Sequence, residues 1–201
     1  MEKSNKNKMQ GKIIILNGAS SSGKTSLLKA IQDSFAEPYL DLGIDKFIFS
    51  LPKRYLERPL WDDVLGNATF AGKTGHELIS AMHHAIVAAS RQGMNIVADH
   101  VLVEKSWLQE CAHLFSDLPA WLIGVRCPVE VLEEREKMRK NRTLGQARAQ
   151  FELVHSHGIY DIEVDTSCQT PQECSARIDE SLKFNSSPSA FKQINLSLKS
   201  I

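Results

Sequence analysis

Short apolar runs alternate with longer amphipathic segments along most of this chain. The short runs are rich in β-branched residues, which is typical of strands buried on both faces of a parallel sheet. We predict five such strands, at residues 12–17, 39–42, 95–99, 120–126 and 161–165. Strands that alternate with helices in this way predict an α/β fold, in which βα units surround one five-stranded parallel sheet.

The longer segments carry apolar residues at helical spacing and several begin at proline or a small capping residue. We predict helices at residues 24–35, 75–92, 104–115, 128–140, 145–157 and 171–184. Residues 1–11 are expected to be a flexible N-terminal tail, and 12–184 a single domain. Residues 185–201 turn polar and serine-rich, so we expect a loosely attached tail in which 190–198 could form a marginal helix.

The first predicted strand runs directly into a loop with the spacing G-x-x-x-x-G-K-[ST], which is typical of nucleotide phosphate sites. Glycines let backbone amides converge on an anion, and the following helix N-terminus adds its own N–H groups. Lys24 supplies a full charge, and the Thr25 hydroxyl suits Mg²⁺. A chance Gly/Ser-rich turn is the alternative, but the flanking strand and helix favour a phosphate-binding loop made of Gly18, Ala19, Ser20, Ser21, Ser22, Gly23, Lys24 and Thr25.

Two carboxylates lie just beyond strands, where ligands of open parallel sheets bind. Asp45 follows the second strand and could accept the proton of a substrate hydroxyl, or it could simply cap a helix over 46–50. Asp99 ends the third strand and could hold Mg²⁺ through water or orient the substrate, or be only a solvated or capping carboxylate. His100, beside Asp99, is expected near the same cleft.

Five cations are concentrated between Arg135 and Arg142, downstream of the fourth strand. Guanidinium groups suit phosphate oxygens and adenine faces, so we interpret this segment as a short arginine-rich lid. Arg135 and Arg142 are the two arginines that we expect to act on the nucleotide. The alternative is a solvated helical face whose cations pair with neighbouring glutamates.

Composition excludes several classes of function. The chain has 201 residues with 24 basic and 24 acidic side chains, so its net charge favours neither nucleic acid nor an anionic membrane as a partner. No apolar run approaches the ~20 residues of a membrane span. The four cysteines lack the spacing of a zinc site, and no secretory signal is present. We expect a cytoplasmic protein that acts on a small molecule, and the sequence leaves a homo-oligomer open.

Four segments together resemble chloramphenicol phosphotransferase, and the resemblance spans most of residues 12–180. They are the strand and loop at 13–24, Leu-Gly-Ile-Asp at 42–45, Val-Arg-Cys at 125–127 and Tyr-Asp-Ile-Glu-Val-Asp-Thr at 160–166, the last preceded by His155. The resemblance implies a P-loop kinase fold and transfer of the γ-phosphoryl group of ATP to a small-molecule hydroxyl. In the family that molecule is chloramphenicol, which is modified at its 3-hydroxyl.

The resemblance also places site residues. Asp45 falls on the catalytic aspartate of the family, Arg135 and Arg142 resemble the lid arginines of related kinases, and the turn after Asp165 would border the adenine. The chain departs from the family at His100, where the family has a second aspartate. Residues 53–76, which are expected to shape the substrate pocket, also match poorly, so the acceptor is left open.

Two other functions remain compatible with these residues. The chain could be a kinase for a metabolite or a nucleotide, or a switch in which nucleotide hydrolysis moves a loop. The sequence lacks the guanine-specific N-K-x-D element, which counts against a GTPase switch.

Overall fold

A computed structural model describes residues 9–65, 69–138, 145–184 and 187–199. Its centre is one parallel sheet of five strands in the order β2-β3-β1-β4-β5. The strands are β1 (Ile13–Asn17), β2 (Tyr39–Asp41), β3 (Asn95–His100), β4 (Ala120–Arg126) and β5 (Ile162–Asp165). The predicted five-stranded parallel sheet is therefore confirmed.

Helices flank the sheet on both faces. They are α1 (Lys24–Ser34), α2 (Ile44–Ile48), α3 (Trp61–Leu65), α4 (Lys73–Arg91), α5 (Lys105–Phe115), α6 (Val129–Lys137), α7 (Gln146–Phe151), α8 (Pro171–Phe184) and α9 (Ala190–Lys199), with a 3₁₀ turn at Lys53–Leu56. No helix in the described ranges is both long enough and apolar enough to cross a bilayer.

Alternation along the strands divides the apolar core into two layers. Ile13 and Ile15 of β1 face a cluster shared with α4, α5 and α9, while Ile14 and Leu16 face a cluster shared with α1 and α8. Successive side chains of a strand point to opposite faces, so a strand covered on both sides is apolar throughout. All five residues of β1 are buried, which explains the uninterrupted apolar run in the sequence.

Several predicted boundaries shift in the structure. The helix predicted at 128–140 is α6, which ends at Lys137, and the arginine-rich segment at 139–144 lies outside the described residues. The helix predicted at 145–157 is α7, which ends at Phe151 and continues as tight turns. Strand β3 extends one residue further than predicted and includes His100, because His100 pairs in register with Asn17 of β1.

The C-terminal segment differs from the loosely attached tail expected from its polar composition. Helix α9 packs against α5 and β4, and its Ala190, Phe191 and Ile194 are buried in the core. Asp161 fixes the start of the helix, since its Oδ1 accepts the N–H groups of Ser189 at 2.7 Å and Ala190 at 3.0 Å. The apolar positions of α9 recur at helical spacing, and their burial outweighs the polar residues around them.

Truncating Phe191 tests whether α9 is part of the folded domain. Phe191 is 1% exposed and its ring packs edge-to-face on Phe115, with centroids 5.3 Å apart. We expect Phe191→Ala to lower the free energy of unfolding by about 3 kcal/mol, because it removes a buried aromatic side chain and leaves a cavity. Urea unfolding measures the change. Phe184→Ala is the control, since Phe184 is 84% exposed, and equal effects of the two variants would contradict the packed helix.

Candidate active site

The phosphate-binding spacing lies at the middle of the sheet's carboxyl edge. Strand β1 has neighbours on both sides, and the loop that follows it leads into α1 at Lys24. Gly23 has φ of 86°, a left-handed conformation that favours glycine. At Gly18 a Cβ atom would lie 2.6 Å from the Val125 carbonyl oxygen, so a larger residue would push the loop away from β4. Both glycines of the motif are thus required by the backbone.

Polar atoms of the loop are buried in a way that fits a phosphate group. The hydroxyl groups of Ser20, Ser21 and Ser22 are buried and have no hydrogen-bond partner within the described ranges. Buried hydroxyls in proteins are normally paired, and phosphate oxygens are suitable acceptors for them. Lys24 is also buried, and its Nζ donates to the carbonyl oxygens of Gly18 and Ala19, each at 2.7 Å. The ammonium group is therefore held at the mouth of the loop.

Asp45 and Asp99 lie in the same cleft as the phosphate loop. The lining residues are Ser20 to Thr25 of the loop together with Ile44, Asp45, Asp99, Val101, Gln146 and Gln150. Asp45 is in the first turn of α2, whose N-cap is Gly43, so the alternative that Asp45 caps this helix is wrong. Strands β1, β2 and β3 are adjacent in the sheet, and their carboxyl ends therefore bring these distant segments of chain together.

Burial raises the pKa of Asp99, and the charges of Asp45 and Asp41 raise it further, while Lys24 acts in the opposite direction. A cation near this carboxyl stabilises its ionised form. The hydroxyl of Thr25 and the carboxylate of Asp99 are oxygen donors of the kind that Mg²⁺ prefers, and both line the cleft. These residues fit a magnesium ion as well as a phosphate chain.

Gly43 contributes to the site in a way that the sequence reasoning missed. A Cβ atom at Gly43 would lie 2.0 Å from Oδ1 of Asp99, so only glycine lets the Asp99 carboxylate occupy its observed position. The backbone N–H of Gly43 also donates to Oδ1 of Asp41 at 3.0 Å. The signal was a glycine two residues after β2 and two before Asp45, but its role depends on Asp99, which is distant in sequence.

Arg135 contacts the protein rather than the cleft in this structure. Its guanidinium donates to the Thr166 carbonyl oxygen at 2.7 Å and to the Thr166 hydroxyl at 3.2 Å. That hydroxyl donates to the carbonyl oxygen of Ser22 at 2.8 Å, so Thr166, the residue after β5, links Arg135 to the phosphate loop. Arg142 lies outside the described residues. The roles of both arginines on the nucleotide stay predictions.

Glu136 is buried and holds α7 in place, so this glutamate does not belong to the solvated helical face that was the alternative to a lid. Its carboxylate accepts the N–H of Gly145 at 2.7 Å and the N–H of Ala147 at 2.8 Å. A carboxylate at a helix N-terminus satisfies free amides and interacts favourably with the helix dipole. Helix α7 in turn presents Gln150, whose Oε1 accepts the N–H of Ser20 at 2.8 Å. This places α7 directly against the phosphate loop.

Asn17 connects the end of β1 to the segment that carries the Tyr-Asp-Ile-Glu-Val-Asp-Thr signature. Its Nδ2 donates to the Val154 carbonyl oxygen at 2.7 Å and to the Tyr160 hydroxyl at 2.8 Å. The Tyr160 hydroxyl in turn is hydrogen-bonded to Nδ1 of His155 at 2.6 Å. Burial lowers the pKa of His155 to about 3, helped by the charge of Arg126, so its ring is neutral. The segment that carries the signature is therefore hydrogen-bonded to Asn17, the residue directly before the phosphate loop.

Replacing His155 should change how stability depends on pH. As pH falls through about 6.5 the ring takes up a proton in the unfolded chain, whereas the folded chain keeps it neutral down to about pH 3. The unfolded state therefore binds more protons between these values, and the free energy of unfolding falls as pH is lowered.

We expect His155→Gln, which keeps a hydrogen-bonding side chain beside Tyr160 but has no titratable ring, to make the loss of stability with falling pH shallower. Urea unfolding from pH 7 to pH 4 measures the slope. His113→Gln is the matched control, because His113 is exposed. If His155→Gln left the dependence of unfolding free energy on pH unchanged, the conclusion that the folded protein keeps His155 neutral would be wrong.

Comparison with solved structures identifies the fold. APS kinase of Mycobacterium tuberculosis is similar with a TM-score of 0.62 and 14% identity, over 87% of this chain and 98% of that one. Shikimate kinase of Acinetobacter baumannii is similar with a TM-score of 0.60 and 11% identity, over 88% and 96%. At such low identities the likeness concerns the fold alone, and the fold is that of P-loop kinases, as predicted.

Comparison of sequences identifies the family. Two Mycobacterium tuberculosis proteins, named "Putative O-phosphotransferase" MT2714 and Rv2636, are each 36% identical over 198 residues, which is 92% of this chain and 88% of theirs. The family described as "Chloramphenicol phosphotransferase-like protein" matches residues 11–183. The match covers the sheet, the phosphate loop and both carboxylates of the cleft. The chain therefore belongs to the chloramphenicol phosphotransferase-like family, as its resemblance predicted.

Proposed function

We propose that this protein is an ATP-dependent kinase that transfers the γ-phosphoryl group to a hydroxyl of a small molecule, chloramphenicol or a compound similar to it. The observation that carries the proposal is the shared cleft, in which Asp45 lies opposite a phosphate-binding loop. Phosphoryl transfer requires held phosphates, an oriented nucleophile and cations over the transferred group. The cleft supplies a residue for each requirement.

The donor half of the cleft would hold Mg·ATP. The loop amides and the three serine hydroxyls would bind phosphate oxygens, and Lys24 would place its charge beside the transferred group. Thr25 and Asp99 would hold Mg²⁺, which neutralises phosphate charge when it is bound. The solved APS kinase, which shares this fold, is in complex with AMPPNP and APS, which supports nucleotide binding by this chain as well.

The acceptor half of the cleft would activate the hydroxyl. Asp45 would accept the hydroxyl proton while the acceptor oxygen forms a bond to the γ-phosphorus, and the bond between that phosphorus and the bridging oxygen of ADP breaks. The products are the phosphorylated acceptor and ADP, and the proton leaves Asp45 for solvent. Asp45 belongs to the first turn of α2, so its position is fixed by a helix rather than by a loop.

Two exposed aromatic side chains support an acceptor with an aromatic part. Phe49 follows α2 directly and is 69% exposed, and Phe70 is 56% exposed. Exposed rings offer apolar contact to a ligand. Phe47 and Trp61 pack against the core instead. Family membership supports chloramphenicol as the first acceptor to test, and inactivation of such an antibiotic as the role of the reaction.

A direct assay tests the proposed reaction. Purified protein is incubated with Mg·ATP and chloramphenicol, or with each member of a panel of small hydroxyl compounds. Mass spectrometry then detects a product heavier by one phosphoryl group. Nucleotide consumption that no acceptor stimulates, together with the absence of any phosphorylated product, would contradict the kinase and favour a switch.

Replacing Asp45 separates catalysis from nucleotide binding. We expect Asp45→Asn to lower the rate of phosphoryl transfer by about a hundredfold or more, because it removes the general base. The affinity for ATP should stay within about twofold, since the phosphate loop is unchanged. Isothermal titration with ATP and the mass assay measure the two quantities. Transfer at a near-normal rate would show that Asp45 is not the base.

Replacing Lys24 provides the contrasting variant. Lys24→Ala removes the ammonium group at the mouth of the loop, so both nucleotide affinity and turnover should fall, the affinity by about tenfold. Both variants should therefore lower the rate of phosphoryl transfer, but only Lys24→Ala should weaken ATP binding. If both variants changed only affinity, the two residues would not have the distinct roles proposed here.

A further inference from the structure

A chain of buried polar side chains runs behind the cleft, from α5 through α4 to the end of β3. Its members are Glu110, His83 and His100, which we call the histidine chain. His83 Nδ1 lies 2.6 Å from Oε2 of Glu110, and His83 Nε2 lies 2.9 Å from Nε2 of His100. Both rings are almost fully buried, His83 at 0% and His100 at 1% exposure.

The hydrogen bonds of the histidine chain determine where each proton sits. The backbone N–H of Val101 donates to Nδ1 of His100 at 2.8 Å, so that nitrogen is an acceptor and the neutral ring carries its proton on Nε2. Nε2–H of His100 then donates to Nε2 of His83. His83 consequently carries its own proton on Nδ1 and donates it to Glu110. Every bond therefore runs in one direction, from Val101 to Glu110.

Burial and charge stabilise this arrangement. Burial lowers the pKa of His83, so that ring is neutral. The His100 ring is neutral because its Nδ1 accepts the N–H of Val101 and therefore carries no proton. Burial would raise the pKa of Glu110, but hydrogen bonds from Ser80 and His83 lower it overall, and the carboxylate is ionised. Ser80 donates to the second oxygen of Glu110 at 2.6 Å. An ionised acceptor at one end fixes the tautomers of both rings.

The same rings and Cys111 could also be considered as a metal site. The Sγ atom of Cys111 lies 3.3 Å from Nε2 of His83, and the ligand atoms of the three residues lie within 4.8 Å of one another. A metal on Nε2 of His100 would require the proton on Nδ1, where it would face the donor N–H of Val101. Because two donors would then oppose each other, the geometry favours the hydrogen-bonded chain.

The residue held by the histidine chain lies in the active-site cleft. Val101 lines the cleft, as does Asp99 on the other side of His100. The next amide, that of Leu102, donates to Oδ1 of Asn17 at 2.9 Å, directly before the phosphate loop. His100 also pairs in register with Asn17. Two consecutive amides beyond β3 are therefore fixed by buried side chains, one from each of two neighbouring strands.

We propose that Glu110, His83 and His100 are positioning residues, which hold Val101 and Asp99 in the cleft through a one-way hydrogen-bond chain that begins on α5. The effect on catalysis rests on the proposed kinase function. The tautomers of the two histidines and the protection of the Val101 amide from hydrogen exchange do not depend on that function. His100, which was singled out beside Asp99 in the sequence, acts on the cleft through the backbone. None of the three side chains is among the described residues that line the cleft.

The test uses substitutions of Glu110, because this residue lies on α5 and its side chain is partly exposed. Glu110→Leu removes the acceptor for Nδ1–H of His83, so the proton should move to Nε2 and face the proton of His100. Glu110→Gln keeps an acceptor oxygen and should preserve the chain. Gln109→Leu is the control, since Gln109 is an exposed residue of the same helix.

Nitrogen-15 NMR of the full-length protein reports the tautomers directly. In the wild type we expect His83 to carry its proton on Nδ1 and His100 on Nε2, with the Val101 amide protected from hydrogen exchange. Glu110→Leu should change the tautomer of His83 and expose the Val101 amide, while Glu110→Gln and Gln109→Leu should not. A proton on Nδ1 of His100 in the wild type, or stoichiometric Zn²⁺ binding that shifts both rings, would overturn the proposal.

Kinetics separates positioning from general destabilisation. Glu110→Leu should lower kcat for the acceptor by about tenfold, because small displacements of groups around reacting atoms reduce the rate strongly. The affinity for Mg·ATP should change less than twofold, and Glu110→Gln should restore most of kcat. An active wild type whose kcat is unaffected in Glu110→Leu would refute the role in catalysis. A wild type that phosphorylates no acceptor would instead refute the proposed function. The NMR result would still show whether the histidine chain has the proposed hydrogen-bond direction.

Discussion

The requirement that buried polar groups be paired governs the carboxyl edge of the sheet. Strand β1 is completely buried, yet the chain must pass from it into a loop whose amides and hydroxyls face a ligand. Asn17 makes this transition possible, because its amide bonds to Val154, Tyr160 and Leu102. Two segments distant in sequence, at 154–160 and directly after β3, are thereby fixed to the base of the phosphate loop.

Around that base, the described structure places acidic groups opposite one buried cation. Lys24 lies among the loop carbonyls, while Asp45 and Asp99 approach from β2 and β3. Gly43 permits the approach of Asp99 because it has no Cβ atom, and burial raises the pKa of that carboxyl. A phosphate chain bound here would lie beside the positive charge of Lys24, and its metal ion would balance the negative charge of Asp99.

The sequence was most informative where a short pattern carries a local physical requirement. Apolar runs and helical periodicity predicted all five strands, and the glycine and lysine spacing predicted the phosphate loop. It was least informative where polar composition concealed a buried face. Helix α9 was expected to be a loose tail, and the burial of Glu136 was not predicted, because neither their partners nor their burial can be seen in a linear sequence.

By itself, then, the sequence determined the fold class, the family and the residues of the phosphate loop, since these depend on spacing between near neighbours. Only the tertiary structure decided that Asp45 and Asp99 share one cleft, that Gly43 accommodates Asp99, and that His100 faces away from the cleft toward His83. Each of these facts depends on contacts between strands or helices far apart in the chain. Burial and hydrogen-bond direction, which give those residues their chemistry, exist only once the sheet has brought these segments together.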